Sequence, residues 1–259
     1  MTGARNREAE RHRAIVDQVQ REGFAAIEKL SQQFAVTPQT IRRDINALVG
    51  KGLLRRYHGG AGLPSSIENI AYPARQVLHL EEKQAIARLA VTQIPDAASL
   101  FINIGTTTEE VAKALLNHRQ LRVITNNLNV AALLAQKEDF EVIVAGGVVR
   151  TRDRGIVGEA TLDLIRQFKV DFGVVGISGI DLDGTLLDYD YREVRVTQAI
   201  MANSRRVLMV SDHTKFGRAA MVRVGSIAEV DLLCTDRDPP AAMATLLREA
   251  GGQLLVAGS

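Results

Sequence analysis

Between Arg7 and Glu22, Ile15, Val16 and Val19 fall on one side of a helical wheel and charges fill the rest, which predicts a helix stopped by Gly23. A second, shorter helix is predicted from Ile27 to Phe34, where Ile27, Leu30 and Phe34 follow at three- and four-residue spacing. A third runs from Pro38 to about Gly50. Thr37 is its capping residue, Pro38 sits in the first turn where a missing N–H costs nothing, and Ile41, Ile45 and Leu48 form the buried face. That register turns Gln39, Thr40, Arg42, Arg43 and Asn46 away from the core. After Gly52, the segment Leu53-Leu-Arg-Arg-Tyr-His-Gly-Gly-Ala61 reads as a small β-hairpin.

The pattern then changes. Leu63 to Pro73 carries two prolines and two serines with little periodicity and reads as a linker. Beyond it a helix is predicted over about Glu81 to Gln93. Apolar runs follow at Leu100 to Ile104, Leu121 to Thr125, Phe140 to Ala145, Phe172 to Ile177, Arg206 to Ser211, Leu232 to Thr235 and Gln253 to Val256, separated mostly by helical stretches. Such alternation predicts an α/β fold with a parallel sheet covered by helices on both faces. The expected organisation is a small head over residues 1–62, a linker over 63–75 and a body over 76–259.

Composition narrows the picture. With 259 residues, 46% of them apolar and 24% charged, the chain is an ordinary globular one. No apolar run approaches the roughly 20 residues of a membrane helix. The stretch from Met1 to Arg13 is charged where a signal peptide would be apolar, so a cytoplasmic protein is expected. Cys234 is the one cysteine and lies in an apolar stretch, which excludes an intramolecular disulfide framework and a Cys-rich zinc site. The 5 histidines form no His-x-x-x-His pair, so no metal is expected. The net charge of +2 hides an asymmetry: residues 1–62 hold 11 Lys and Arg against 6 Asp and Glu, the remainder 21 against 24. A basic head joined to a slightly acidic body is the layout of a chain with one module that meets phosphate.

The head carries residue types suited to DNA. Two short helices joined by a tight turn, the second presenting Thr37, Gln39, Thr40, Arg42 and Arg43, form the arrangement that enters a major groove. Arg takes guanine or a phosphate, Gln reads adenine, and Thr caps or touches a phosphate or thymine methyl. The hairpin forms a wing whose Arg55, Arg56, Tyr57 and His58 are expected along the backbone or minor groove.

In open α/β sheets ligands sit outside the carboxyl ends of the strands. The first strand ends in Gly105-Thr106-Thr107-Thr108-Glu109 and runs into a helix. The second ends in Thr125-Asn126-Asn127, the third in Gly146-Gly147 and the fourth in Gly176-Ile-Ser-Gly179. A Gly-Thr-Thr turn entering a helix offers N–H groups, hydroxyls and the positive end of a dipole, which suit a phosphate or carboxylate. Lys215, in Asp212-His-Thr-Lys-Phe-Gly217, adds a cation near the fifth strand end. Neither Gly-x-Gly-x-x-Gly after the first strand nor a Gly-Lys-Ser/Thr motif is present, so a small phosphorylated metabolite is favoured over a nucleotide, and no cofactor is expected.

The run Val36-Thr-Pro-Gln-Thr-Ile-Arg-Arg-Asp-Ile-Asn46, with Leu54-Arg-Arg-Tyr-His-Gly-Gly-Ala61, resembles the winged helix-turn-helix of the DeoR family of bacterial transcriptional regulators. Ile104-Gly-Thr-Thr-Thr108, Thr125-Asn-Asn-Leu-Asn-Val130, Ala145-Gly-Gly147, Gly155-Ile-Val-Gly-Glu-Ala-Thr-Leu-Asp163, Gly176-Ile-Ser-Gly-Ile-Asp181 and Asp212 to Gly217 resemble that family's sensor domain. Asn103 departs from the pattern, standing where an aspartate is expected. The resemblance implies a sensor fold of the ribose-5-phosphate isomerase and glucosamine-6-phosphate deaminase type and a recognition role for the third helix. It also implies release from operator DNA by a phosphorylated effector. The stretches Thr125 to Val130, Asp188 to Tyr191 and Phe216 to Arg218 are similar to family members governing glycerol metabolism, which implies glycerol 3-phosphate or a related small phosphate. A homodimer or homotetramer is expected, so that two heads read repeated half-sites. The competing class is a phosphosugar isomerase-like enzyme using Asp181 or Asp183 with Lys215 as acid and base. The head favours the repressor, because an enzyme gains nothing from Thr37 to Arg43 and a basic wing.

Overall fold

In the computed structural model, which describes all residues except Met1, Gly23, Gly52, His58, 63–71 and Ser259, the chain divides into the units Met1–Arg75 and Gln76–Ser259. The first unit runs α1 (Thr2–Glu22), β1 (Phe24–Ala26), α2 (Ile27–Gln33), α3 (Pro38–Gly50), β2 (Arg55–Tyr57) and β3 (Gly60–Gly62). Ile15 and Val19 of α1, Leu30 of α2 and Ile41, Ile45 and Leu48 of α3 are sealed from solvent in one core, as their spacing predicts. The wing is larger than a hairpin. β1 pairs antiparallel with β3, which pairs with β2, giving a three-stranded sheet. Gly60 permits that approach, because a Cβ there would stand 2.3 Å from the Ala25 carbonyl and 2.4 Å from the Phe24 ring.

The chain enters the second unit through α4 (Tyr72–Val77), so Tyr72 to Arg75, read from the sequence as linker, are helical; the rest of that linker falls on the residues outside the description. The unit continues with α5 (Leu80–Val91), β4 (Ser99–Ile102), α6 (Thr106–Leu115), β5 (Arg122–Thr125), α7 (Leu128–Leu134), β6 (Glu141–Val144), β7 (Val148–Val149), β8 (Ile156–Val157), α8 (Glu159–Ile165), β9 (Val170–Gly176), β10 (Gly179–Ile180), β11 (Thr185–Asp188), α9 (Tyr191–Ala202), β12 (Ser204–Val210), β13 (Val222–Ser226), β14 (Leu232–Thr235), α10 (Ala241–Glu249) and β15 (Gln253–Val256).

Seven strands form a parallel sheet in the order β15-β14-β12-β9-β4-β5-β6. Side chains alternate between its faces. Leu100, Ile102, Val123, Leu208, Leu232 and Cys234 join the core beneath α5, α6 and α7. Phe101, Ile124, Val207, Met209 and Leu233 join the core beneath α8, α9 and α10. Two buried faces explain why these strands read as continuous apolar runs. Cys234 is fully buried, and burial pushes its thiol up to about 12, so it is a core group and not a nucleophile.

The earliest strand, β4, lies between β9 and β5. From it the chain steps outward through β5 and β6, then returns to build the other half from β9, so the strand order reverses at β4 and β9. That switch point opens a crevice at the carboxyl ends of the strands. Two smaller sheets accompany the main one: the β7–β8 pair and an antiparallel β10-β11-β13 sheet. No described helix is long and apolar enough to cross a membrane.

Candidate DNA-reading face and effector site

The cap on α3 is as its sequence predicts. Thr37 Oγ1 accepts the Thr40 N–H at 3.2 Å, which is worth about 1 kcal/mol to the helix start. Gln39, Arg42, Arg43 and Asn46 are exposed, and Thr40 is half-buried. Arg55 and Arg56 are exposed on β2, and Arg56 Nη1 donates to Asn46 Oδ1 at 3.3 Å, which ties the wing to the outer face of α3. Tyr57 contributes its backbone to β2, pairing with Gly60, while His58 lies outside the described residues.

The inner face of α3 holds a charge that hydrophobic spacing passes over. Asp44 is 4% exposed, and its carboxylate accepts from Arg11 Nε at 2.6 Å and Nη2 at 3.1 Å, with His12 Nε2 at 3.0 Å. This pairing fastens α1 to the helix that presents the arginines. The hydrogen bond from Arg11 to Asp44 outweighs burial and raises the guanidinium's pKa. Glu8, His12 and Asp44 approach closely enough to suggest a metal, but Arg11 already takes both Asp44 oxygens. Position 44 follows Ile41 by three residues, which is the signal that its side chain turns inward.

In the second unit, the ends of β4, β5 and β6 stand side by side. Gly105 precedes α6, and Glu109 N–H makes its first intrahelical bond, to Gly105 O at 3.0 Å. The amides of Thr106 to Thr108 are therefore those a helix leaves without internal partners. Thr106 and Thr107 are nearly buried, and neither hydroxyl makes a hydrogen bond among the described residues. Thr108 differs: its hydroxyl lies 2.9 Å from Asn103 O and 2.8 Å from Gly105 O and closes the turn.

Thr125 and Asn127 are likewise occupied. Thr125 Oγ1 donates to Ile102 O at 2.7 Å, and Asn127 Oδ1 caps α7 while its Nδ2 donates to Glu109 at 3.0 Å. Asn126 is different in a useful way. Its Nδ2 donates to Ile156 O at 3.0 Å, yet its buried Oδ1 has no partner among the described residues. The facing carbonyl fixes which end is the NH2, so the side chain keeps an acceptor in reserve. Gly146 and Gly147 are exposed at the end of β6; Thr161 donates to Gly146 O at 2.6 Å and would collide with a side chain at Gly147, which has φ 139°.

Asn103 spans the switch point. Its Oδ1 accepts the Gly176 N–H at 3.0 Å and its Nδ2 donates to Thr197 at 3.3 Å, so the amide bridges β4, the end of β9 and α9. Lys215 lies in the short turn His213–Lys215 that follows β12, the strand on the far side of β9 from β4. Its Nζ is 3.6 Å from the Asp212 carboxylate, which is 1% exposed. Burial works to raise the Asp212 pKa, but Lys215, the Thr214 hydrogen bonds, His79 and Lys83 outweigh it and hold the carboxyl below the ordinary range.

The loop between β7 and β8 supports Asn126, and it is held by a charge cluster that the sequence analysis does not single out. Arg150 is buried between β7 and β8 and pairs with Asp153 at 2.7 Å, Glu193 at 2.6 Å and Asp190 at 3.2 Å. The loop it anchors donates Ile156 N–H to Asn126 O at 2.7 Å and accepts Leu128 N–H at Arg154 O. The Arg150/Asp153 spacing was a local hint; Asp190 and Glu193 come from a distant element.

The acidic pair proposed for an enzyme is engaged elsewhere. Asp181 and Asp183 are exposed in the turn joining β10 to β11, where they accept the Leu182 and Thr185 N–H groups. The bond from Thr185 lowers the Asp183 pKa. A cavity of about 450 Å³ lies between α9, β12 and β13, lined by Gln198, Met201, Val207, Arg223 and Glu229 among others. It includes none of the strand-end groups, and its lining carries charges of both signs, Arg223 and Glu229.

A family model described as the DeoR C terminal sensor domain matches residues 78–237, and one described as the DeoR-like helix-turn-helix domain matches residues 11–67. The chain belongs to the DeoR family. It is 53% identical over 248 residues to the glycerol-3-phosphate regulon repressor of Escherichia coli (strain K12), covering 96% of this chain and 98% of that one. A protein of the same description from Haemophilus influenzae is 49% identical over 246 residues, covering 95% and 96%. The transcriptional repressor CsqR of Escherichia coli is 41% identical, covering 95% and 94%. The chain is thus a DeoR-family DNA-binding repressor rather than an enzyme. The solved ribose 5-phosphate isomerase A of Methanocaldococcus jannaschii shares 15% identity, covering 53% of this chain and 54% of that one, with a TM-score of 0.39. A likeness that distant carries nothing about chemistry.

Proposed function

We propose that this DeoR-family repressor leaves its operator when a small phosphorylated metabolite, glycerol 3-phosphate foremost, occupies the crevice at the ends of β4, β5 and β9, and that it thereby controls glycerol and glycerol 3-phosphate metabolism. The reading is carried by one observation: Asn126 Oδ1, an acceptor with no partner among the described residues, follows β5, the strand next to the one that leads into the N-terminus of α6. Amides and dipole at Gly105, Thr106, Thr107 and Thr108 suit a phosphate, and the Thr106 and Thr107 hydroxyls add donors. An acceptor suits a ligand hydroxyl and repels an anion. A polyol phosphate meets both demands, and the regulon named for the relatives supports glycerol 3-phosphate among such compounds.

In this reading Lys215 balances the ligand charge, Gly146 and Gly147 leave backbone exposed at the rim, and Thr125 and Asn127 shape the floor. Calorimetry on the full-length chain tests it. Glycerol 3-phosphate is expected to bind, and glycerol to give no measurable heat at the same concentrations. Binding of both with equal affinity would remove the phosphate from the account.

Thr37, Gln39, Thr40, Arg42 and Arg43 are assigned to the major groove, with Arg55, Arg56, Tyr57 and His58 along the backbone or minor groove. Two heads of a homodimer or homotetramer, in the cytoplasm, read repeated half-sites. Replacing Arg42 or Arg43 by Ala is expected to weaken binding to an operator recovered by selection with the full-length chain. A base-reading arginine costs about 1 to 3 kcal/mol and relaxes one position, whereas a phosphate-binding one lowers affinity evenly and reduces the salt slope by about one. Unchanged anisotropy titrations for both variants would refute the assignment.

A further inference from the structure

We propose that His79 is the hinge through which occupancy of the effector crevice reaches the DNA-reading unit. The inference rests on the reading of Lys215 as the cation that faces the effector.

His79 stands between α4 and α5 with φ 52° and ψ 40°, in the left-handed region that a residue with a Cβ enters at a cost. Its neighbours hold it there. Lys83 N–H donates to His79 O at 3.0 Å, Lys83 Nζ donates to Leu78 O at 2.6 Å, and His79 Nδ1 lies 3.4 Å from Glu82 Oε1. Lys83 is only 3% exposed, so a buried cation has been assigned to clasping two residues of a turn.

The ring of His79 lies edge-on against that of His213, centroids 5.3 Å apart and planes at 82°. His213 belongs to the short turn that also carries Asp212 and Lys215, and it is fixed from behind by Asp236, with Nδ1 to Oδ2 at 2.6 Å and N–H to Oδ1 at 2.7 Å. One turn therefore bears the proposed effector cation on one residue and the contact to the hinge on another.

Asp212 completes the connection. Its Oδ2 is buried without a hydrogen-bond partner among the described residues and lies 3.6 Å from Lys215 Nζ. Lys83, which clasps the hinge, supplies further positive charge to the same carboxylate. An anion that draws Lys215 away leaves a buried carboxylate short of compensation, and the cation that remains to it is the one that holds the hinge closed. The strained residue offers a discrete response: a change from the left-handed to the right-handed region redirects α4, from which the chain leads to the DNA-reading unit. Coupling needs such a two-state element, biased by the ligand.

The test uses the full-length chain with His79→Asn. Asn tolerates the left-handed region, so the turn survives while the ring is lost. Operator affinity without effector and calorimetric affinity for glycerol 3-phosphate are both expected within about threefold of wild type. The ratio of operator Kd with and without saturating glycerol 3-phosphate, at least about fivefold in wild type, is expected to fall to about one. His79→Gly, which adopts the turn freely, should behave alike, and His79→Phe, which keeps the ring edge, should restore part of the response. Wild-type release by both ring-deleted variants would overturn the hinge, and so would loss of effector binding in parallel with loss of release. If the wild-type chain itself fails to respond, the functional reading falls and the hinge falls with it.

Discussion

Replacing Arg150 by Met is expected to destabilise the sensor unit by about 3 to 5 kcal/mol, the usual result of removing one partner from a buried ion cluster. Asp153, Asp190 and Glu193 all pair with this guanidinium, and Asp153 is 2% exposed. Met preserves length and apolar volume, so the loss isolates the charge. Arg152 and Arg192 also reach Asp190, but both are more than half exposed and compensate it through solvent. Glu193 at the start of α9 and Asp153 within the loop then lose the cation they share, and the exposed Arg152, 3.7 Å from Asp153, is a weaker replacement. Chemical denaturation of the variant checks the magnitude, and a loss below about 1 kcal/mol would show the cluster to be solvated.

Acid provides a second reading of the same cluster. Burial favours a raised pKa for Asp190, but hydrogen bonds from Arg192 and the charge of Arg150 bring it down to about 2. A carboxyl depressed in the folded state stabilises the fold above its unfolded value of about 3.9. That contribution is lost as pH falls toward the folded value. The wild-type sensor should therefore lose stability between about pH 4 and 2, and the Arg150 variant should lose less over that interval.

Thr107→Val is expected to separate sensing from DNA binding. The exchange keeps the branched shape of a 7% exposed side chain at the start of α6 and removes its hydroxyl. A phosphate then lacks a charge-assisted hydrogen bond worth about 1.5 to 3 kcal/mol. At about 1.4 kcal/mol per factor of ten, the effector concentration for half-release should rise at least about tenfold. Operator affinity without effector should match wild type, since residue 107 belongs to the unit that carries none of the DNA-reading residues. In cells the variant would repress and resist induction. Parallel loss of DNA binding would make the turn a structural one.

The seven parallel strands were legible because each is an apolar run whose alternate residues enter two buried cores, as Leu100, Phe101 and Ile102 do. What escaped was short. β1 is three residues, Phe-Ala-Ala, and declares itself only through the Gly60 contact; the β10-β11-β13 sheet is fixed by partners distant in sequence. At the crevice, residue type revealed which loops matter but not which atoms are spare. Thr106, Thr107 and Thr108 look alike in the sequence, yet only the last spends its hydroxyl on its own turn. Asn126 and Asn127 are adjacent, and only backbone geometry decides that one caps a helix while the other keeps a bare acceptor. Arg150 and Asp44 were passed over because a buried charge has no periodicity of its own, and all their partners here but Asp153 lie 32 to 43 residues away.

The central claim is that a phosphate-bearing ligand held by the sensor governs DNA binding, and its most direct test is operator anisotropy with the full-length chain under titration with glycerol 3-phosphate and glycerol. The account predicts release by glycerol 3-phosphate and none by glycerol at matched concentration. Equal release by the two compounds, or release by a hexose phosphate with none by glycerol 3-phosphate, would contradict it.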